Sequence, residues 1–295
     1  MTQEWNFKDY DELSKSQKIH SYPATFPPRL ARRIIQDYSN KGDLILDIFS
    51  GSGTTLVESN LAERNSIGIE LNPLAIMISQ VKTTPINFNL AHKELEKLGK
   101  ANRKIKTYPI TDEIRYWFET ITYRSLKNLK EEIENIKDKR VKDFFLLSLS
   151  DIVRKASKLN HSGFKMHKRK DKSSKYNYPQ LLDQLYLPRL RKNLDRFKDI
   201  NSKLHIDKKP KIIHGDSRDV HDIKASTVDL ILTSPPYGDS RTTVAYGEFS
   251  RLPLDILDLH SSYSKSLDGK LLGGSRKDVF LGDDLGLESI KKIIK

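Results

Sequence analysis

Apolar and polar positions fall into four textures along the chain. Residues 1–22 are polar and aromatic with no clear period. Residues 23–85 alternate short apolar runs with proline- and glycine-marked turns, as a compact α/β unit does. A helix is predicted from Pro27-Pro28 through Leu30–Tyr38 (LARRIIQDY), because proline suits a first helical turn. Asp43–Phe49 (DLILDIF) is an apolar run of strand type that leads into Ser50 and the glycine turn Gly51–Thr55. Thr54–Ala62 is the next predicted helix and Ser66–Glu70 (SIGIE) the next strand. Asn72-Pro73 reads as an N-cap with proline at N1, opening a further helix. Strand, glycine turn, helix, strand is a βαβ unit, which is parallel and right-handed.

Residues 86–210 carry a helical period instead. Leu126–Lys137 (LKNLKEEIENIK) and Asp143–Lys158 (DFFLLSLSDIVRKASK) both place apolar residues at helical spacing. His161–Pro179 has no such period and reads as a loop. From Lys211 the α/β texture returns: Lys211–Asp216 (KIIHGD) is a short strand with a polar end, and Val228–Tyr237 (VDLILTSPPY) is a stronger strand entering a proline turn. Arg241–Leu259 reads as a loop and short helix, and the tail beyond it shows no strong strand pattern. The chain thus divides into residues 1–85, a helical segment 86–210, and residues 211–295, with no internal repeat.

Charge changes the picture of the middle segment. The 295-residue chain has 52 Lys+Arg against 39 Asp+Glu, a formal charge of +13. Between Arg124 and Lys211 there are 25 basic and 11 acidic residues, so this stretch supplies the whole excess. Such a cluster suits a polyanion such as nucleic acid, since each Lys or Arg on a phosphate releases counterions. A plainly solvated, lysine-rich face is the bland alternative. Cysteine is absent, which excludes disulfides, zinc-thiolate sites and a cysteine nucleophile. The N-terminus MTQEWNFKDYDELSK is acidic and polar, unlike a signal peptide. No apolar run approaches the ~20 residues of a membrane span. A cytoplasmic protein with no membrane partner is expected.

The glycine turn lies where a βαβ unit receives its ligand, at the carboxyl end of the first strand. Glycines let the backbone approach a ligand, and the helix that follows offers free N–H groups. After Gly51 and Gly53, position 56 is Leu, so the turn is neither G-x-G-x-x-G nor a Walker loop, and a dinucleotide or nucleoside triphosphate is disfavoured. Glu70 ends the second strand, where a carboxylate can accept both ribose hydroxyls of an adenosine. The plain alternative is a tight turn beside a surface Glu. In the second turn, Thr-Ser-Pro-Pro-Tyr-Gly-Asp, Ser234 offers a hydroxyl acceptor. Pro235 and Pro236 fix φ and lack N–H groups, so nearby carbonyls can be held towards a cavity. Tyr237 supplies a stacking face. Together they suit a planar ring with an exocyclic amine, although a rigid turn would use the same residues.

The two turns, in a basic chain, resemble those of the S-adenosylmethionine-dependent DNA amino-methyltransferases of restriction–modification systems, most closely the cytosine-N4 group. The family's D-P-F-x-G-S-G-T-T motif stands here as Asp47-Ile48-Phe49-Ser50-Gly51-Ser52-Gly53-Thr54-Thr55, with Ile for the usual Pro. Its H-P-x-x-F-P motif stands as Tyr22-Pro23-Ala24-Thr25-Phe26-Pro27, with Tyr for His, and its S-P-P-Y motif as Ser234–Tyr237. The resemblance covers residues 22–80 and 211–251. It implies a Rossmann-like α/β methyltransferase sheet with a helical basic insertion. It also implies a cofactor site of Phe26, Asp47, Phe49, Gly51, Gly53, Thr54, Glu70 and Asp216, with Phe26 near the methionine end of the cofactor, Glu70 on its ribose and Asp216 on its adenine amine. An Asx turn is the plain alternative for Asp216. Catalysis would fall to Ser234, Pro235, Pro236 and Tyr237. Lys168, Arg169, Lys170 and Arg241 are the candidate contacts to double-stranded DNA.

Methyl transfer to an exocyclic amine is an in-line displacement. The nitrogen becomes positive as it attacks, so acceptors at its hydrogens (Ser234 Oγ and the Pro235 carbonyl) stabilise the transition state. Neither a metal nor a covalent intermediate is needed. Methylation at cytosine C5 needs a cysteine adduct, which this chain cannot form. A paired base must flip into the pocket, where Tyr237 would stack on it. Ser234 favours cytosine, because adenine enzymes of the family usually carry Asp or Asn there. Adenine-N6 methylation, an RNA or protein-glutamine methylase, and a non-catalytic nucleic-acid-binding subunit stay open. The family sheet has seven strands and the sequence yields four. Either the tail hides the others or a second polypeptide supplies them, as in a split enzyme. A cognate restriction endonuclease would be a further partner.

Overall fold

The computed structural model describes residues 11–100, 105–160, 165–169, 175–218, 223–235, 244–259 and 267. The chain enters through α1 (Glu12–Ser16), capped by the Asp11 carboxylate, and α2 (Pro28–Tyr38), which starts on proline as expected. β1 (Leu44–Asp47), α3 (Thr54–Leu61) and β2 (Asn65–Glu70) form the βαβ unit, and α4 (Pro73–Lys82) follows. At its start Asn72 Oδ1 accepts the Leu74 N–H at 3.0 Å, the N-cap read from the sequence.

Then come α5 (Phe88–Lys100), α6 (Asp112–Trp117), α7 (Thr120–Glu134) and α8 (Lys139–Ala156). α9 (Tyr178–Gln180) leads through a π-helical turn, Leu181–Tyr186, into α10 (Leu187–Asn201). A 3₁₀ turn at Ile206–Lys208 precedes β3 (Lys211–His214) and β4 (Leu230–Ile231), and α11 (Tyr246–Leu257) closes the described chain with Pro253 inside it.

The four strands lie in the order β3-β2-β1-β4, all parallel. The central strand β1 is apolar because it is covered on both faces: Ile45 and Leu46 have no exposed surface. Ile45 packs with Ala31 and Ile35 of α2 and with Leu232, and Leu46 packs with Ile67, Ile69 and Val228 on the other face. β4 is shorter than the run Val228–Thr233 expected for it, and Leu230 and Ile231 are only half-buried. The reason is its place: among the described residues β1 is its one neighbour.

The helical segment is no loose appendage. α8 packs on both α4 and α11, and α10 packs on α1 and α8. One apolar cluster joins Leu74 and Ile78 of α4, Leu126 of α7, Phe144 and Phe145 of α8, Phe197 of α10 and Leu254 of α11. Part of the predicted loop also pairs. Leu159 bridges Lys168 antiparallel, Asn160 N donates to His167 O at 2.7 Å, and Arg169 N donates to Lys158 O at 2.9 Å. Among the described residues no helix is long and apolar enough to cross a membrane.

Candidate active site

A cavity opens at the carboxyl ends of β1, β2, β3 and β4, where parallel sheets place ligands. It gathers most of the residues singled out in the sequence. Phe26, Asp47, Phe49, Gly51, Thr54, Glu70, Asp216 and Ser234 all line it, although the chain separates the first from the last by some two hundred residues. Tyr22, Thr25, Leu71, Arg218 and Tyr246 line it as well, and of these Tyr22 and Thr25 belong to the Tyr22–Pro27 motif.

Gly51 has φ +48°, and a Cβ there would meet nothing closer than the Phe49 carbonyl oxygen at 3.9 Å. Its backbone is therefore bare towards the cavity, as close approach of a ligand requires. Glu70 Oε2 accepts the Gly51 N–H at 2.8 Å, and Oε1 accepts the N–H groups of Leu71 at 2.9 Å and Asn72 at 2.7 Å. Burial pushes the Glu70 pKa up to about 6, against the opposing pull of these three donors. A carboxylate has about four lone-pair sites, so acceptor capacity remains for a ligand hydroxyl.

Asp47 is buried at the end of β1, and burial raises its pKa. Its Oδ1 accepts the Phe49 N–H at 3.1 Å and the Thr233 hydroxyl at 2.7 Å. Asp47 thus braces the two turns rather than only lining the cavity. The Tyr22 ring stacks on Tyr246 with centroids 5.7 Å apart, and its hydroxyl accepts from Asn72 Nδ2 at 3.1 Å. The same Asn72 amide donates to Ser250 Oγ at 2.8 Å, so the cap of α4 holds α11 against the cavity wall.

Several expected residues stand differently. Gly53 does not line the cavity. It faces α4: a Cβ at its φ of +78° would lie 2.4 Å from Ser79 Cβ, so packing of the turn on that helix requires glycine here. Pro235 is exposed and off the cavity wall. Asp216 lies on the wall, but Arg218 occupies its carboxylate through Nε at 3.0 Å and Nη2 at 2.6 Å, and the Arg218 N–H closes an Asx turn on Oδ1 at 2.9 Å. The guanidinium holds the Asp216 pKa below the usual carboxylate range. Lys168 is exposed, with Nζ 4.7 Å from the Tyr116 ring centroid. Arg169 is half-buried, and its guanidinium donates to the Ser157 carbonyl at 3.0 Å. Pro236, Tyr237, Lys170 and Arg241 lie outside the described residues.

The basic stretch nevertheless reaches the site's rim. The Met166 N–H donates to Glu248 Oε2 at 2.5 Å, in the first turn of α11 and two residues beyond Tyr246.

The parallel sheet, its flanking helices and this cavity define an α/β domain of the Rossmann-like methyltransferase class. The sequence is that of a relative of the restriction–modification DNA methyltransferases. The DNA methylase family of the N6/N4 type matches residues 1–81. The type II methyltransferase M.MvaI of Kocuria varians is 30% identical over 92% of this chain, and the chain spans 64% of that relative's length. M.MjaII of Methanocaldococcus jannaschii is 27% identical over 50% of the chain and 31% of its own length. M.BglI of Bacillus subtilis is 37% identical over 44% and 34% respectively. No solved structure matches the chain.

Proposed function

We propose that the chain carries the cofactor-binding and amine-binding parts of an S-adenosylmethionine-dependent DNA methyltransferase that acts on N4 of cytosine. The observation that carries this reading is the single cavity in which Gly51, Glu70 and Ser234 meet. Bare backbone at Gly51 and a carboxylate at Glu70 suit an adenosine, as the family's cofactor requires. The cofactor would supply an electrophilic methyl group. The chain's own residues would orient it and receive the base. Phe26, Asp47, Phe49 and Thr54 would shape the cofactor's seat. Ser234 Oγ would accept from the amine as it gains positive charge, the Pro235 carbonyl would join it only by turning in from its exposed place off the cavity wall, and Tyr237 would stack on the flipped base. Asp216 would serve adenine only by sharing its carboxylate with Arg218 or releasing it.

Ser234, in the place where adenine enzymes usually carry an acid or amide, supports cytosine. The basic stretch held beside α11, with Lys168 exposed on it, supports a duplex tracked along its phosphates. Lys170 and Arg241, outside the described residues, are proposed as further DNA contacts. The outer side of β4 has no neighbour among the described residues, which supports a second polypeptide or further segment that completes the sheet.

The test is incubation with labelled S-adenosylmethionine and duplex DNA, alone and with the product of the adjacent reading frame, followed by mass spectrometry of nucleosides. N4-methylcytosine is expected. N6-methyladenine would move the reading to adenine, and label in RNA or protein alone would refute it.

A further inference from the structure

Behind the glycine turn lies a second cavity, which shares Tyr22, Thr25, Ser52 and Thr54 with the first. Its wall also carries Lys18, His20, Lys82, Arg189 and Arg196 and, among the described residues, no Asp or Glu. Lys82, at the end of α4, is 3% exposed. Its ammonium donates to the Ser52 carbonyl at 2.9 Å, which leaves two of its three N–H groups. Arg196 of α10 donates to the Lys18 carbonyl at 2.6 Å.

Among the described residues, neither Lys82 nor Arg196 forms an ion pair with a carboxylate. The acids that act on them through space, Glu58 on Lys82 and Asp151 on Arg196, are themselves paired with Arg32 and Arg189. Burial pushes the Lys82 pKa down to about 8.

His20 adds a second sign. Its side chain is 1% exposed, it lines the same cavity, and neither ring nitrogen has a hydrogen-bond partner among the described residues. Burial, with Arg189 and Lys82 nearby, pushes its pKa down to about 4 against the pull of Asp151, so the ring is neutral and offers one N–H. A buried ammonium without a counter-ion is costly, as is a buried imidazole whose Nε2 stands 3.8 Å from Asp151 Oδ1, beyond hydrogen-bond reach, and an anion in the cavity would relieve both.

We propose that this cavity is an anion site that seats the carboxylate of the cofactor's amino-acid arm. Lys82 and Arg196 neutralise it, His20 donates to it, and the adenosine lies in the first cavity. A tail leaving the adenosine would cross Ser52 and Thr54, two of the four residues common to both chambers. The inference rests on the cofactor reading above.

The experiment is calorimetry with S-adenosylhomocysteine and with 5′-methylthioadenosine, which keeps the nucleoside and lacks the amino-acid arm. Wild type, Lys82→Met and Arg196→Leu are compared, each checked by thermal melting. Arg196 is half-buried, so its variant remains informative should Lys82→Met fail to fold. Each substitution should weaken S-adenosylhomocysteine by about 10- to 100-fold, the scale of a hydrogen bond to a charged group, and leave methylthioadenosine unchanged. Equal losses on both ligands, or none, would overturn the proposal and leave Lys82 as a brace of the turn. Inorganic phosphate is the competing source: phosphate that binds wild type equally with either nucleoside present would assign the cavity to a separate anion and also overturn it. Wild type that binds neither nucleoside would defeat the cofactor reading itself, a result distinct from the others.

Discussion

The Thr233 hydroxyl donates to the Asp47 carboxylate at 2.7 Å, and this bond ties the end of β1 to the strand end that enters the proline turn. Since Asp47 also holds the Phe49 N–H, one buried side chain sets the spacing between the turn proposed for the cofactor and the turn proposed for the amine. Asp47→Ala would leave a half-buried hydroxyl and an amide without this acceptor, at about 1–3 kcal/mol of stability. Asp47→Asn keeps an acceptor oxygen and should cost less. Urea denaturation of the three proteins checks the order, and equal midpoints would show that the bond braces nothing.

Gly53 yields a different outcome from Gly51. A side chain at Gly53 meets Ser79 of α4 at 2.4 Å on a backbone with φ +78°, so Gly53→Ala should destabilise by about 2–4 kcal/mol through overpacking and strain. Gly51→Ala, with open space before it, should retain the fold more nearly and lose nucleoside affinity instead. Thermal melts paired with S-adenosylhomocysteine titration separate the two. A Gly53→Ala protein as stable as wild type would refute the packing role.

Glu70 gives a pH dependence with a definite sign. Its folded pKa of about 6 lies above the ordinary glutamate value of 4.5, so the folded state binds more protons than the unfolded state in between. Its contribution to stability therefore falls as pH rises through that window. Nucleoside binding should run the other way, because the ionised carboxylate is the better acceptor for ribose hydroxyls: affinity should drop as pH falls below about 6. Glu70→Gln should bind more weakly and lose this dependence. Affinity measured from pH 5 to 8, a range that brackets the transition, checks it. A flat wild-type profile would take Glu70 out of the ligand's reach.

The sheet and both turns were legible because their signals are local. DLILDIF is apolar where β1 is covered on both faces, and Asn72-Pro73 caps α4 through its own side chain. The convergence of Phe26, Glu70 and Ser234 followed from a general rule of parallel sheets rather than from any one residue. What stayed hidden depends on partners distant in sequence. Gly53 carries the same letter as Gly51, and only the position of Ser79 shows that it serves helix packing. Arg169 reads as one more cation until the Ser157 carbonyl is placed beside it. Lys82 sits in an ordinary helix end, and nothing in its neighbours announces a buried ammonium against the Ser52 carbonyl. The short reach of β4 goes with its having β1 as its one neighbour among the described residues, which the apolar run Val228–Thr233 does not reveal by itself.

Lys168 and Arg169, adjacent in the basic stretch, should separate in their effects. Lys168 is exposed and only rests over the Tyr116 ring, a contact worth about 0.5–1 kcal/mol at an exposed site. Lys168→Ala should leave the melting temperature nearly unchanged. If its ammonium meets a phosphate, the substitution weakens binding of all duplex sequences alike and reduces the slope of log K against log salt by about 0.9. Arg169 is half-buried and bound to Ser157 O, so Arg169→Ala should lower the melting temperature first. It should affect DNA affinity mainly by loosening the paired segment that Met166 anchors to Glu248. Fluorescence anisotropy with one duplex at several salt concentrations, beside thermal melts, resolves the pair. An unaltered salt slope in Lys168→Ala would mean that this residue belongs to a solvated face and that the duplex runs elsewhere.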